Sequence, residues 1–403
     1  MKSARAFGSG AGDGADDHQA SWTEADNSCF SNSVAVDVMG QMFSFVIKVI
    51  IGVLVSWPVL ADEPSSLFAP EPESRAMELD SSFIPAEIPL PLPALHRPTE
   101  IAALPQELDL VPTPEYSAAA AGSYWVVSSR NSVQNIHEAS RGPWGVNVYQ
   151  RFSDGQMIQS DLPTLVSQLN PTLPVCVFAH GSFVQWESQC KESHDFYHYV
   201  SGCHPGPVQM IFFTWPSDGP RTHLFAVDVA VRGRRADFNG FHLAYLLSQI
   251  PESCPVTLIG HSHGCRLLLS TMHLAGGGTV EGCYFPYSVG NRRFRAVLAA
   301  GAMDHNWLNP GEMYGCALNR LECLLNLQNR DDRALAFYPL SRPFAHRAIA
   351  RSGLTQRDYR LIGSNAAKVR DVDVTGIVGH SHYWPSYYSQ PAVIATILPY
   401  LNY

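Results

Sequence analysis

One tetrapeptide occurs twice in the chain, as Gly260-His261-Ser262-His263 and as Gly379-His380-Ser381-His382. Two chemistries could use it: paired His-x-His ligands for a metal ion, or a serine from one copy activated by a histidine from the other. The flanking residues separate them. The first copy continues into Gly264, completing Gly-x-Ser-x-Gly, with the apolar run "PVTLI" leading in and "CRLLLSTMHL" leading out. That is the strand-turn-helix setting of a nucleophile elbow, in which glycines two residues either side of the serine let strand and helix backbones approach closely. Ser262 is therefore the expected nucleophile, raised at the carboxyl end of a sheet above a helix N-terminus.

A serine hydroxyl needs a base and an orienting acid, and in this elbow type they follow in the order serine, acid, histidine. The second tetrapeptide ends the last strand-like run, "VDVTGIVGH", so His380 is the expected base and His382, two residues on, its alternative. Ser381 is no second nucleophile, because Tyr-Trp-Pro follows in place of a glycine and a helix. The acid should come from "LLNLQNRDDRALAFY"; Asp332 is favoured over Asp331, and Asp304, after the preceding strand, is the alternative acid. Either aspartate could instead cap a helix. Developing negative charge needs two backbone donors. His263, just after the nucleophile, supplies one; the loop in "VFAHGSFVQW", bending at Gly181, supplies the other from Ser182 or Phe183. The metal reading is the weaker one, since His261 and His263 would diverge around a sharp turn and no carboxylate lies at ligand-like spacing beside either pair. No metal and no other cofactor is expected.

One pattern fills residues 121–403: an apolar run, a loop, a helical stretch. Eight runs read as strands, near residues 124 and 146 and at 175–181, 208–216, 256–262, 294–304, 321–332 and 372–380. Most are continuously apolar rather than alternating, as strands covered on both faces must be. Between them, "ADFNGFHLAYLLSQI", "GCRLLLSTMHLAGGG" and "QPAVIATILPYL" carry apolar residues at helical spacing. The expected fold class is α/β: one mostly parallel eight-stranded sheet with helices on both faces, a three-layer sandwich.

Residues 1–61 and 62–120 read differently. From Met42 the chain runs "MFSFVIKVIIGVLVSWPVLADEP", which resembles a signal peptide cleaved after Ala61, with translation starting at Met39 or Met42; an uncleaved membrane anchor is the alternative. The protein is thus expected to be exported, to the periplasm, the cell envelope or the medium. Residues 62–120 hold eleven of the 29 prolines and no sustained period, so they read as an extended, largely disordered tether. A net charge of −9 without an extensive basic run excludes a nucleic-acid partner. Cys190 and Cys203 read as flanking a loop and form the first disulfide candidate in an exported protein, whereas Cys176 and Cys265 read as small buried thiols.

The segments "VFAHGSF", "IFFTWPSDG", "LIGHSHG", "NRDDRAL" and "GHSHYW", in this order, resemble a bacterial α/β-hydrolase family of unknown function. Its fourth strand typically ends in Trp-Pro-Ser, here Trp215-Pro216-Ser217, and its elbow reads His-Ser-x-Gly. The resemblance covers roughly residues 123–390. It implies the α/β-hydrolase fold with Ser262, Asp332 and His380 at the triad positions; where members carry an His-Gly-Tyr-Asn-like loop, this chain has His180-Gly181-Ser182-Phe183. The expected activity is hydrolysis of a small-molecule ester or acyl substrate through an acyl-enzyme. The competing readings are a catalytically inactive binding module in the cell envelope and a metal-dependent hydrolase. Phe183, Trp186, Trp215 and Tyr383-Trp384 would suit an acyl or aromatic group, or simple packing.

Overall fold

The computed structural model describes residues 122–403 apart from 136, 137, 139, 143, 220–224, 342 and 343. The residues expected to form an N-terminal extension, an export signal and a Pro-rich tether lie outside the described residues. Among those described, no helix is long and apolar enough to cross a membrane.

The strands are β1 (Ser123–Ser128), β2 (Asn147–Phe152), β3 (Met157–Ser160), β4 (Val175–Ala179), β5 (Gln209–Thr214), β6 (Val256–His261), β7 (Phe294–Ala299), β8 (Cys323–Gln328) and β9 (Val369–Asp373). They form one sheet in the order β3-β2-β1-β5-β4-β6-β7-β8-β9. Only the pairings of β2, with β1 and with β3, are antiparallel. The sheet thus has one strand more than the apolar runs foretold. The extra strand, β3, is a short edge strand whose residues are all at least partly exposed, so it carries no apolar run.

Side chains alternate faces along a strand, and the alternation divides the core in two. On β5, Ile211 and Phe213 join one apolar cluster while Met210 and Phe212 join the other. The first face is covered by α3 (Phe225–Gln249) and α4 (His263–Ala275), which pack along each other, and receives α1 (Leu162–Gln168) near its edge. The second is covered by α2 (Trp186–Cys203), α9 (Pro385–Tyr388) and α10 (Pro391–Ile397). Short helices α5 (Arg333–Ala336), α6 (Ile349–Ser352), α7 (Gln356–Ile362) and α8 (Thr375–Val378) lie between β8 and the C-terminal elements. This is the α/β-hydrolase arrangement, with the central β6 running through a sharp turn into α4. Neighbouring β4 and β6 send their helices to opposite faces, which opens a crevice at their carboxyl ends, where open α/β sheets bind ligands.

The disulfide expectation fails on geometry. Cys190 and Cys203 both belong to α2, thirteen positions apart on one continuous helix, and roughly 20 Å of helical rise separates them. The one turn signal in residues 190–203, Ser201-Gly202, comes at their very end, and their mixed polarity is that of a helix buried on one side through Phe196, Tyr197 and Val200.

Candidate active site

The elbow is built by backbone contacts. Ser262 adopts φ 55° and ψ −122°, a left-handed conformation for a residue with a Cβ. Its N–H donates to the Ala299 carbonyl at 2.9 Å and its carbonyl accepts from Cys265 N–H at 3.1 Å. A Cβ on Gly260 would come within 2.8 Å of the Cys265 nitrogen, and one on Gly264 would drive into the carbonyl oxygens of Ala179 and His180. Both glycines are therefore required sterically, as the Gly-x-Ser-x-Gly spacing implies.

Of the four histidines in the two tetrapeptides, His382 faces the serine. Its Nε2 lies 2.9 Å from Ser262 Oγ, and its Nδ1 lies 2.7 Å from Asp332 Oδ2. Asp332 is wholly buried and caps α5, its other oxygen accepting from Leu335 N–H at 3.0 Å. The carboxylate fixes the tautomer: Nδ1–H donates to Asp332, leaving Nε2 to accept the Ser262 proton. A line of contacts of this kind can take a proton from the hydroxyl and stabilise the imidazolium that results.

His380, the expected base, is exposed instead, with Nδ1 3.3 Å from the Asp331 carbonyl and no contact to Ser262. The physical reason lies upstream. β9 stops at Asp373, whose carboxylate accepts from Thr375 N–H, and Thr375–Val378 form the helical turn α8 rather than more strand. The loop then runs two residues further before it reaches the serine. Asn329 Nδ2 donates to the carbonyls of Gly379 (2.8 Å) and Ser381 (3.2 Å), and His261 Nε2–H donates to the His382 carbonyl at 2.7 Å. Trp384, fully buried against Phe178, anchors the far side. Asp373, whose side chain bonds the N–H two residues on in an Asx-turn, is the available sign that the strand ends there. Asn329 and His261 as clamps carried no sequence signal.

The alternative acid, Asp304, contacts neither histidine. It accepts from His346 N–H at 3.0 Å and bridges to Ala348, so it braces the loop before α6. Asp331 likewise offers only its backbone carbonyl.

Around the oxyanion position, Phe183 N–H donates to the Ser217 carbonyl at 3.0 Å, which removes it as a donor. Ser182 N–H has no partner among the described residues, and His263 N–H, at the first turn of α4, has no carbonyl four residues back within the helix. The Ser182 hydroxyl and His263 Nδ1 stand 2.6 Å apart, tying this loop to the elbow. Trp-Pro-Ser props the same loop from below: Trp215 Nε1–H donates to the His180 carbonyl at 2.9 Å, and Ser217 Oγ bonds Val184 on both backbone atoms. Trp215 and Trp384 are fully buried and so serve packing, whereas Tyr383 is 62% exposed.

The surrounding imidazoles are held neutral. Burial, reinforced by the positive Arg130 and by His261, depresses His180 to about 3. His261 is likewise lowered to about 3 by burial and by the charge of His382, and burial together with Arg266 lowers His263 well below its ordinary value. Among the described residues no three His, Cys, Asp or Glu side chains group as a metal site.

No family model and no curated protein matches the chain. Among solved structures it is similar to Zea mays acyl-protein thioesterase 2, at 16% identity over 57% of this chain and 92% of that one, with a TM-score of 0.33. It is also similar to esterase B from Lactobacillus Rhamnosis, at 14% identity over 72% of this chain and 85% of that one, with a TM-score of 0.36. A second structure of that esterase, inhibited by a tributyrin phosphonate, gives the same values. What the chain does has to be argued from its own site.

Proposed function

We propose that the chain is a serine hydrolase that cleaves carboxylic esters through an acyl-enzyme, with Ser262 as nucleophile, His382 as general base and acid, and Asp332 as the orienting carboxylate. The observation that carries this reading is the unbroken contact line Asp332–His382–Ser262, at 2.7 and 2.9 Å, ending on a serine in an elbow conformation. In the first half-reaction Ser262 Oγ bonds to the ester carbonyl carbon while its proton passes to His382 Nε2. The carbonyl oxygen becomes an oxyanion received by the N–H groups of His263 and Ser182. Collapse breaks the bond to the alcohol, which leaves with the proton from His382. Water then repeats the sequence on the acyl-enzyme and returns Ser262.

Export to the envelope or the medium belongs to the same proposal, on the strength of the apolar run 43–61. The test is turnover of a panel of p-nitrophenyl esters by the full chain beside Ser262→Ala and Asp332→Asn. The wild type hydrolyses members of the panel, Ser262→Ala does not, and Asp332→Asn lowers kcat by about 10⁴-fold because the imidazole loses its tautomer and its counter-charge. Undiminished hydrolysis by Ser262→Ala would refute the assignment.

A further inference from the structure

A basic concave surface lies on the loops that follow β7 and β8, the loops that also meet the serine site. It encloses about 740 Å³, within the range of small-molecule sites, and its wall includes His305, Arg330, His346, Arg347, Arg351 and Thr355. Two of the loops that build it also reach the catalytic residues. His305 belongs to the loop after β7, whose Ala302 N–H reaches the Ser262 carbonyl at 3.4 Å, and Arg330 stands two residues before Asp332 on the loop after β8.

Three arginines, Arg330, Arg347 and Arg351, line it, and no lining residue is acidic. Residues 330–360 contain seven arginines against three aspartates, in a chain whose net charge is −9. Neither the Arg347 nor the Arg351 guanidinium has an ion-pair partner among the described residues, and the Arg330–Asp373 pair, at 3.4 Å with Arg330 54% exposed, is solvent-screened. Two buried carboxylates near the wall are turned to other tasks. Asp358 is 2% exposed and accepts from Asn309, Thr355 and His305 Nδ1, and Asp304 takes the His346 N–H. Asp358 also leaves His305 Nε2 without a partner among the described residues, beside the arginines. The Arg347 and Arg351 guanidinium groups, lining a concavity with no carboxylate partner among the described residues, are matched by a bidentate oxyanion.

We propose that this surface is an oxyanion subsite that receives a carboxylate or phosphate borne by the substrate, so that the preferred ester carries a negative group remote from the scissile bond. The assignment rests on the serine-hydrolase reading for its substrate, but the binding of an oxyanion does not.

Two measurements separate them. Calorimetric titration of the full chain with inorganic phosphate and with succinate should show binding that weakens about 10- to 100-fold in Arg347→Ala/Arg351→Ala. Absence of binding, or equal binding by the variant, overturns the subsite whether or not any ester is hydrolysed. Kinetics then distinguish a substrate-borne anion from a free one. Mono-p-nitrophenyl esters of succinic, adipic and suberic acids are compared with p-nitrophenyl butyrate, hexanoate and octanoate. At least one half-ester should lose about 10-fold or more in kcat/KM in the variant, with the neutral esters unchanged within about twofold. Equal losses on both series, no loss on either, or anion binding without any substrate discrimination would overturn the assignment to substrate. Failure of the wild type to cleave any ester counts against the serine reading, and titration still decides the subsite.

Discussion

Ser262 holds a backbone conformation that costs an L-residue of the order of 1–3 kcal/mol, and it persists because both its backbone groups are fixed, to Ala299 and to Cys265. The same economy of fixed groups selects the base. Backbone carbonyls of residues 379, 381 and 382 are each held by a side chain at a strand end, two by Asn329 and one by His261. His261 does this as a neutral ring, which its burial enforces. The two tetrapeptides thus serve one site in different ways: the first gives the nucleophile, a clamp and a buried imidazole bonded to Ser182, and the second gives the base through its last residue. Gly-x-Ser-x-Gly made the nucleophile legible, because steric demand at Gly260 and Gly264 fixes those residue types in sequence. Which imidazole of His-x-His turns inward depends on contacts 50 and 120 residues away, and no local spacing encodes it.

At the scale of elements, α4 carries the elbow and is fastened to α3 by a buried polar cluster. Arg266 Nη2 meets Asp237 Oδ2 at 2.6 Å, Tyr314 donates its hydroxyl to the other oxygen, and Trp307 covers the guanidinium at 4.8 Å. Asp237→Ala leaves Arg266 buried without its counter-charge and should cost about 3–5 kcal/mol of stability, measured as the midpoint of urea unfolding. A loss no larger than that of an ordinary surface substitution would mean that water reaches Arg266. Most strands were legible because a strand buried on both faces must be continuously apolar. The exceptions are physical. β3 lies at an exposed edge, and α8 is an apolar Thr375–Val378 stretch too short to display a helical period.

For the whole molecule, three neutral imidazoles sit in the core around the crevice: His180, His261 and His263. Each ionises near 6.5 when unfolded and, because burial opposes its charge, lower when folded, His180 and His261 near 3. The unfolded chain therefore binds more protons between those values, so stability is full above about pH 6.5 and is lost as pH falls toward 3. Thermal unfolding should move to lower temperature between about pH 7.5 and about pH 4.5. A midpoint that holds or rises would show that these rings are hydrated. The global architecture, a parallel-rich sheet with helices on both faces, followed from the sequence pattern, since burial dictates it residue by residue. The fine placement of the base did not, and it is the most direct point of attack. Labelling of the full chain with a fluorophosphonate, compared among wild type, Ser262→Ala, His380→Ala and His382→Ala, reads it directly. The account predicts labelling of wild type and His380→Ala at rates within about twofold of each other, none in Ser262→Ala, and a loss of about 10³-fold or more in His382→Ala. Rapid labelling of His382→Ala together with its loss in His380→Ala would contradict it.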